Sequence, residues 1–426
     1  LKIARLLIDS FSEADKKERI FELTTQFNHG ASLIETETEK IEVALLNLEA
    51  GKKAKNATAY EPAFRYLNIG IRLLPSDCWE RHYDLTLELH NECAEAAYLS
   101  GNAEEMERLT AIVFSRASDL HHKVKAYTVK IQGYLSLTRN EEALNTCLEI
   151  MRLLGARFPD RPNKLHIVQS LIATKLRLRG KTADQLVARP EMSASTPAAL
   201  MEILPYAAAA AYFAKPDLFP LIVFKQVSLS VQYGNHLQSA FAYATYGLVM
   251  CGSTLEFDEG LKFGEIAVRL LDKFNAVSAF TKTHFVTGGF IQHWRHHFRE
   301  TLEELLGAYQ KGLETGDFTY GSYAVFNYLS AKFYMGAPLP ALKKEIDEYM
   351  VALRKIKQDT SIGWLSIPRQ TVGNLLDNTQ ANARLLGPDY DETVEVDRHK
   401  EGKDFSGLCV YYMARMMLGY LFDDTD

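Results

Sequence analysis

The stretch Ala63-Phe64-Arg65-Tyr66-Leu67-Asn68-Ile69-Gly70-Ile71-Arg72-Leu73-Leu74-Pro75 decides the fold. Small and apolar residues fall at Ala63, Leu67 and Gly70, one helical face, and Pro75 closes the run. Just upstream, Ala50-Gly51 sits in a second helical run whose stripe is Ile41, Leu45, Leu48 and Gly51. Small residues at three- and four-residue steps let two helix backbones approach closely, and a proline at the exit cannot continue the helix. The pattern predicts two antiparallel helices that cross at their small residues.

The same period runs along most of the chain. Trp79, Tyr83, Leu87, His90, Ala94 and Ala97 form another stripe. Alternating strand patterns and Asn-Gly or Asp-Gly hairpin signals are absent. Pro75-Ser76-Asp77, with Glu80 three residues after Asp77, reads as a helix stop followed by a capping box. Gly101-Asn102 and Arg139-Asn140 punctuate the next pairs. From Ala63 through Met106 to Ala143 the unit recurs about every 40 residues, looser than the ~34 of a tetratricopeptide unit. One helix pair cannot bury both its apolar faces, so such units stack and share a core. The expected fold is all-α, a tetratricopeptide-like solenoid of degenerate helix pairs.

The composition is that of a folded chain. The 426 residues are 47% hydrophobic and 24% charged, with a net charge of −6. Lys and Arg are dispersed, which argues against nucleic acid or an anionic membrane as partner. Five cysteines without a CxxC pair read as buried small hydrophobes in a reducing compartment. The apolar run Leu204 to Phe213 reads as too short to span a bilayer and as stopped by Pro205 and Pro216. A cytoplasmic location is expected. The missing initiator Met, and a last helix that stops close to the chain end, suggest a piece of a longer polypeptide.

No catalytic motif stands out. Arg179-Gly180-Lys181-Thr182 contains Gly-Lys-Thr, but a phosphate-binding loop needs a glycine five residues earlier, where Lys175 stands. His293 and His297 are four apart and would share one helix face, yet residue 294 is Trp where a zinc protease carries Glu. There is no GxSxG elbow. Catalytic residues, cofactors and metals are therefore not expected. The aromatic residues suggest a binding surface instead: Tyr243, Tyr246, Trp294, Tyr320, Tyr323 and Tyr328 are the candidate groove residues.

Several stretches together resemble a specific family. They include Phe27-Asn28-His29-Gly30, Leu46-Asn47-Leu48-Glu49-Ala50-Gly51, Ala94-Glu95-Ala96-Ala97-Tyr98-Leu99-Ser100-Gly101, Tyr233-Gly234-Asn235, His293-Trp294-Arg295 and Arg369-Gln370 with Asn374-Leu375-Leu376. Their order resembles the long helical region of large multi-sensor signalling kinases. Those proteins join a Ser/Thr-kinase-like domain, a STAND-type AAA ATPase, this helical region, a GAF domain and a histidine kinase on one chain. The resemblance implies a helical exit from the ATPase over 1–50 and a first helical half over 51–188. The residues themselves give a loop at 189–197, where Pro190 and Pro197 bracket a polar segment, then a second half over 198–386, and a polar linker with a terminal helix over 387–426. The resemblance further implies a non-catalytic sensor scaffold that binds a protein or peptide, including other domains of its own chain, and couples ATPase to kinase. A small-molecule receptor with an aromatic-lined pocket in the second half is the alternative. A metal hydrolase at the His293 cluster is a third reading and requires a third ligand from the fold.

Overall fold

The computed structural model describes residues 1–376 and 383–424. The described residues are helical throughout; they contain no β-strand, only two isolated bridges. The chain divides into two compact units, Leu1–Leu137 with Asn145–Ala156, and Thr138–Leu144 with Arg157–Asp426. The loop expected at 189–197 lies inside the second unit, where Glu191 bridges to Asn235.

In the first unit, α1 (Glu37–Asn56) and α2 (Tyr60–Leu73) form the pair read from the opening stretch. Ala63, Leu67 and Gly70 are all on the buried face of α2. A Cβ on Gly51 would run into the Leu67 side chain, and one on Gly70 would lie 2.9 Å from Leu89 Cδ2. Those contacts explain why the two positions are glycine. Leu89 belongs to α3 (Tyr83–Leu99), which pairs with α4 (Ala103–Arg116). Ala4, Leu23 and Phe27 join the same core as Leu67, so the first fifty residues pack with the repeat.

One local expectation is corrected here. Asp77 makes no side-chain cap; it precedes a short turn, Cys78–Arg81, after which α3 starts at Tyr83. His121 and His122 lie within the first turn of the next helix, Leu120–Ser136, which Asp119 caps.

The second unit begins with α5 (Lys164–Leu178), which ends before Gly180 at φ +75°. Thr182 then opens a short helix with a capping box to Gln185, so the Gly-Lys-Thr tripeptide is a helix–helix turn. Next come α6 (Ser195–Ala214), α7 (Phe219–Tyr233) and α8 (Ser239–Val249). Pro205 does not stop α6; it sits inside the helix, which is buried on both sides of it. At 20 residues α6 is long and apolar enough by composition to cross a membrane, and 56% of its apolar window is buried within the protein.

The order continues with α9 (Phe257–Phe274), α10 (Val277–Val286), α11 (Phe298–Thr315), α12 (Phe318–Tyr334), α13 (Leu339–Lys355) and α14 (Asp359–Leu376). Neighbours in sequence pack as neighbours in space, α8 on α9, α11 on α12 and α13 on α14, as in a helical solenoid. The stretch 387–402, read as polar linker, contains a helix, Glu392–Glu401. Asp391 caps it, and the pairs Arg398–Glu395 and Lys400–Asp397 support it despite its polarity. The last helix, α15, is Phe405–Phe422.

Four of the five free cysteines are buried, and Cys409 on α15 is exposed. Burial pushes the Cys93 thiol up to about 12 and that of Cys251 up to about 11, which makes both inert.

Candidate functional site

Within the second unit, helices remote in sequence line a half-open cavity of about 280 Å³. α6 contributes Ala208, Ala209, Tyr212 and Phe213, and α8 contributes Phe241, Thr245 and Leu248. α12 contributes Tyr320, Tyr323, Phe326 and Asn327; α14 contributes Trp364; α15 contributes Ser406, Cys409 and Val410.

One wall owes its shape to a break in helical geometry. α10 passes at Thr287 into a π turn, Thr287–Ile291, which carries Gly288 and Gly289. Residues five apart diverge on an α-helix, but a wider π turn brings them to one side. Phe285 and Phe290 accordingly meet edge-to-face at 5.3 Å, and both line the cavity.

The rings support one another. Phe285 lies 5.7 Å from both Tyr320 and Tyr323, and Tyr320 meets Phe241 at 5.8 Å. Trp364 stacks on Tyr323 at 5.1 Å and 28°, and Phe326 meets it edge-on at 5.5 Å. The Trp364 Nε1–H donates to Asp404 Oδ2 at 3.0 Å. Asp404 also caps α15 by accepting from Gly407 N–H at 2.9 Å. Burial alone would raise the Asp404 carboxyl, but the bonds from His399, Gly407 and Trp364 hold it below its ordinary value. The carboxylate thus fixes the indole plane.

A buried ammonium and a half-buried carboxylate flank this aromatic box. The Lys282 ammonium lies over the rings of Phe241, at 5.4 Å, and Tyr206, at 5.5 Å. Burial lowers its pKa, against the pull of Asp317 and Glu202. Burial raises the Asp317 carboxyl to about 6, against the opposing effects of Lys282 and the Tyr320 N–H. Neither charge lines the cavity.

The six candidate residues fall in different places. Tyr320 and Tyr323 come together on the cavity wall, rings 6.1 Å apart. Tyr243 and Tyr246 are fully buried against Phe263, and neither hydroxyl has a partner. Trp294 is half-exposed and stacks on Phe257 at 4.4 Å. The Tyr328 hydroxyl donates to Glu345 Oε1 at 2.9 Å, beside the Lys332–Glu345 ion pair. Sequence reading missed Trp364, Phe285, Phe290 and Asn327. The one local signal was the Gly288-Gly289 pair set between two phenylalanines.

The histidine cluster is not a helix face. His293 lies in a 3₁₀ turn, Gln292–Trp294, while His297 starts α11 and accepts from Arg299 N–H at 3.0 Å. The His293 ring stacks on Phe298 at 5.3 Å. Among the described residues, no group of three His, Cys, Asp or Glu side chains is placed to hold a metal.

Against proteins of known kind, no family model and no solved structure matches this chain. The chain is similar to hybrid signal transduction histidine kinase G of Dictyostelium discoideum, with 22% identity over 363 residues. That alignment takes in 78% of this chain and 10% of the kinase, so the chain spans about a tenth of its relative's length.

Proposed function

We propose that this chain is a non-catalytic regulatory region of a multi-domain signalling kinase, and that its second unit senses a small apolar molecule. The observation that carries this reading is the aromatic cavity, because a box of stacked rings fixed from behind by Asp404 is preorganised for a ligand. The similarity to a stretch of a histidine kinase supports the signalling role. Binding shifts a helical array by biasing rotations at its interfaces, and the cavity is built from helices that such rotations would move. In the full chain, this region would couple an upstream ATPase module of the STAND type to the kinase output.

A protein partner is the second reading, favoured by one feature. Leu165, Val168, Ile172 and Leu176 form an exposed apolar stripe along α5 at helical spacing, the pattern used when one helix docks on another.

The test of the ligand reading is calorimetric titration of the purified chain with naphthalene. One saturable site is expected, and Ala209→Phe, which fills the cavity, should abolish it. Absence of a saturable site in the unaltered chain refutes the reading.

A further inference from the structure

A second, open cleft of about 310 Å³ lies between α5 and α7 and shares no lining residue with the aromatic cavity. His166, Ser170, Ala173 and Arg177 stand at steps of four, three and four on α5. Leu221, Lys225, Ser228 and Gln232 repeat those steps on α7. Each helix therefore turns one face to the cleft. The segment before α5 adds Arg157.

The lining carries Arg157, Arg177 and Lys225 and no carboxylate. Among the described residues, none of the three forms an ion pair. Lys225 is half-buried. Burial lowers its pKa, and the Arg177 guanidinium lowers it further. A half-buried ammonium beside a second cation is unfavourable unless an anion joins them. In the first unit the chain supplies that anion itself, where Lys55 and Lys125 close on Glu92. Here it does not. The surroundings have the same sign: residues 157–181 hold seven Lys and Arg against one acid, Asp160, in a chain of net charge −6. Of those seven, Lys175 alone has an ion-pair partner among the described residues, Glu256. Such a surplus over a concave surface concentrates anions.

We infer that this cleft binds a small multivalent phosphate anion, held by Lys225, Arg177 and Arg157. The class follows from the donors. A guanidinium matches phosphate oxygens two at a time, and an ammonium adds a point charge. Ser170 and Ser228 bring hydroxyls from the two facing helices for the remaining oxygens. Three cations without a carboxylate call for more than one negative charge. Size agrees: about 310 Å³ is twice the ~150 Å³ that holds one benzene ring, so two phosphoryl groups fit. A soluble phosphorylated metabolite and a phosphate-monoester lipid headgroup both present this chemistry.

The test is calorimetric titration of the purified chain with inorganic pyrophosphate at fixed ionic strength. One saturable site is expected. Lys225→Gln should weaken it about 10-fold or more, and the more exposed Arg177→Gln about 3- to 10-fold, by loss of a charged hydrogen bond. Lys225→Gln removes a cation that has no partner, so its melting temperature, read alongside, should not fall. Lys175→Gln removes the same charge from the same helix outside the cleft, and should weaken binding far less than Arg177→Gln. Absence of a saturable site in the unaltered chain overturns the inference. So does binding that Lys225→Gln and Arg177→Gln leave intact, or an equal loss in Lys175→Gln. Sedimentation with phosphatidylcholine vesicles carrying phosphatidic acid separates the two sources. Capture that pyrophosphate competes away assigns the anion to a lipid headgroup, and pyrophosphate binding without capture assigns it to a soluble phosphate; both uphold the cleft.

Discussion

The two units use one helical period for opposite ends. In the first, small residues bring helices together until nothing is left between them: Gly51 admits Leu67, Gly70 admits Leu89, and Met106 fills the place of a side chain at Gly133. The second has close crossings too, Gly247 on Gly260 and Gly312 on Gly321, but around its cavity large rings hold helices apart. Phe213, Phe285, Tyr323 and Trp364 prop one another around open volume. Their buried charges differ in the same way. Glu92 in α3 is gripped by Lys55 at 2.6 Å and by Lys125, so its carboxyl stays below its ordinary value although burial alone would raise it. Asp317 has only the more distant Lys282, and burial wins. Tight packing with matched charge makes a rigid element; propped packing with an imperfectly matched charge leaves a site.

The largest effect that would break this contrast is expected at Gly51. Gly51→Val forces a branched side chain into Leu67 and should cost about 3 kcal/mol. Urea unfolding followed by the fluorescence of Trp79, the tryptophan of the first unit, reads it. Glu92→Ala should cost about 2 kcal/mol by removing the buried carboxylate that Lys55 and Lys125 share, each of which keeps Glu95 as its other partner. That figure is set below the usual range for buried pairs because the Lys125 side chain is 41% exposed. Because the Glu92 carboxyl is depressed, its contribution is present above the ordinary carboxylate pKa and is lost as pH falls through its folded value. The first unit should therefore weaken on acidification below about pH 4.

Asp317 should give the second unit the opposite slope. Its folded pKa of about 6 lies above the ordinary 3.8, so the native state holds the proton more tightly than the unfolded chain. Its contribution is full below 3.8 and is lost as pH rises towards about 6, by about 1 kcal/mol after allowance for its partial exposure. Thermal unfolding of Asp317→Asn, followed by Trp294 and Trp364 fluorescence, should show that slope removed. The smallest effect is expected for Ala209→Phe. Its ring enters existing volume, so stability should change by less than about 1 kcal/mol, whereas a ring placed in the first unit's core would be strongly destabilising.

The contrast also explains what could be read from the sequence. The α1–α2 crossing was legible because its small residues lie within one short stretch and dictate their own spacing. The cavity was not, because its walls come from residues between 208 and 410 that no local period connects. Tyr320 and Tyr323 were found as neighbours on one helix; Trp364 and Phe285 needed the fold to bring them there. Tyr243 and Tyr246 have the same residue type and the same step of three, yet they face Phe263 in the core. Helical spacing fixes which residues share a face, not what that face meets. The π turn after α10 was equally hidden, since it changes the period at a point where glycines permit it. A separate 3₁₀ turn, Gln292–Trp294, keeps His293 off the helix that His297 caps.

The most direct test of the ligand-sensing account reads Trp364 itself. In a chain carrying Trp79→Phe and Trp294→Phe, Trp364 is the remaining tryptophan, and titration with 2-acetylnaphthalene should quench its fluorescence along a saturable one-site curve. Ala209→Phe should flatten that curve. Quenching that is linear in ligand concentration, or unchanged when the cavity is filled, would contradict the account.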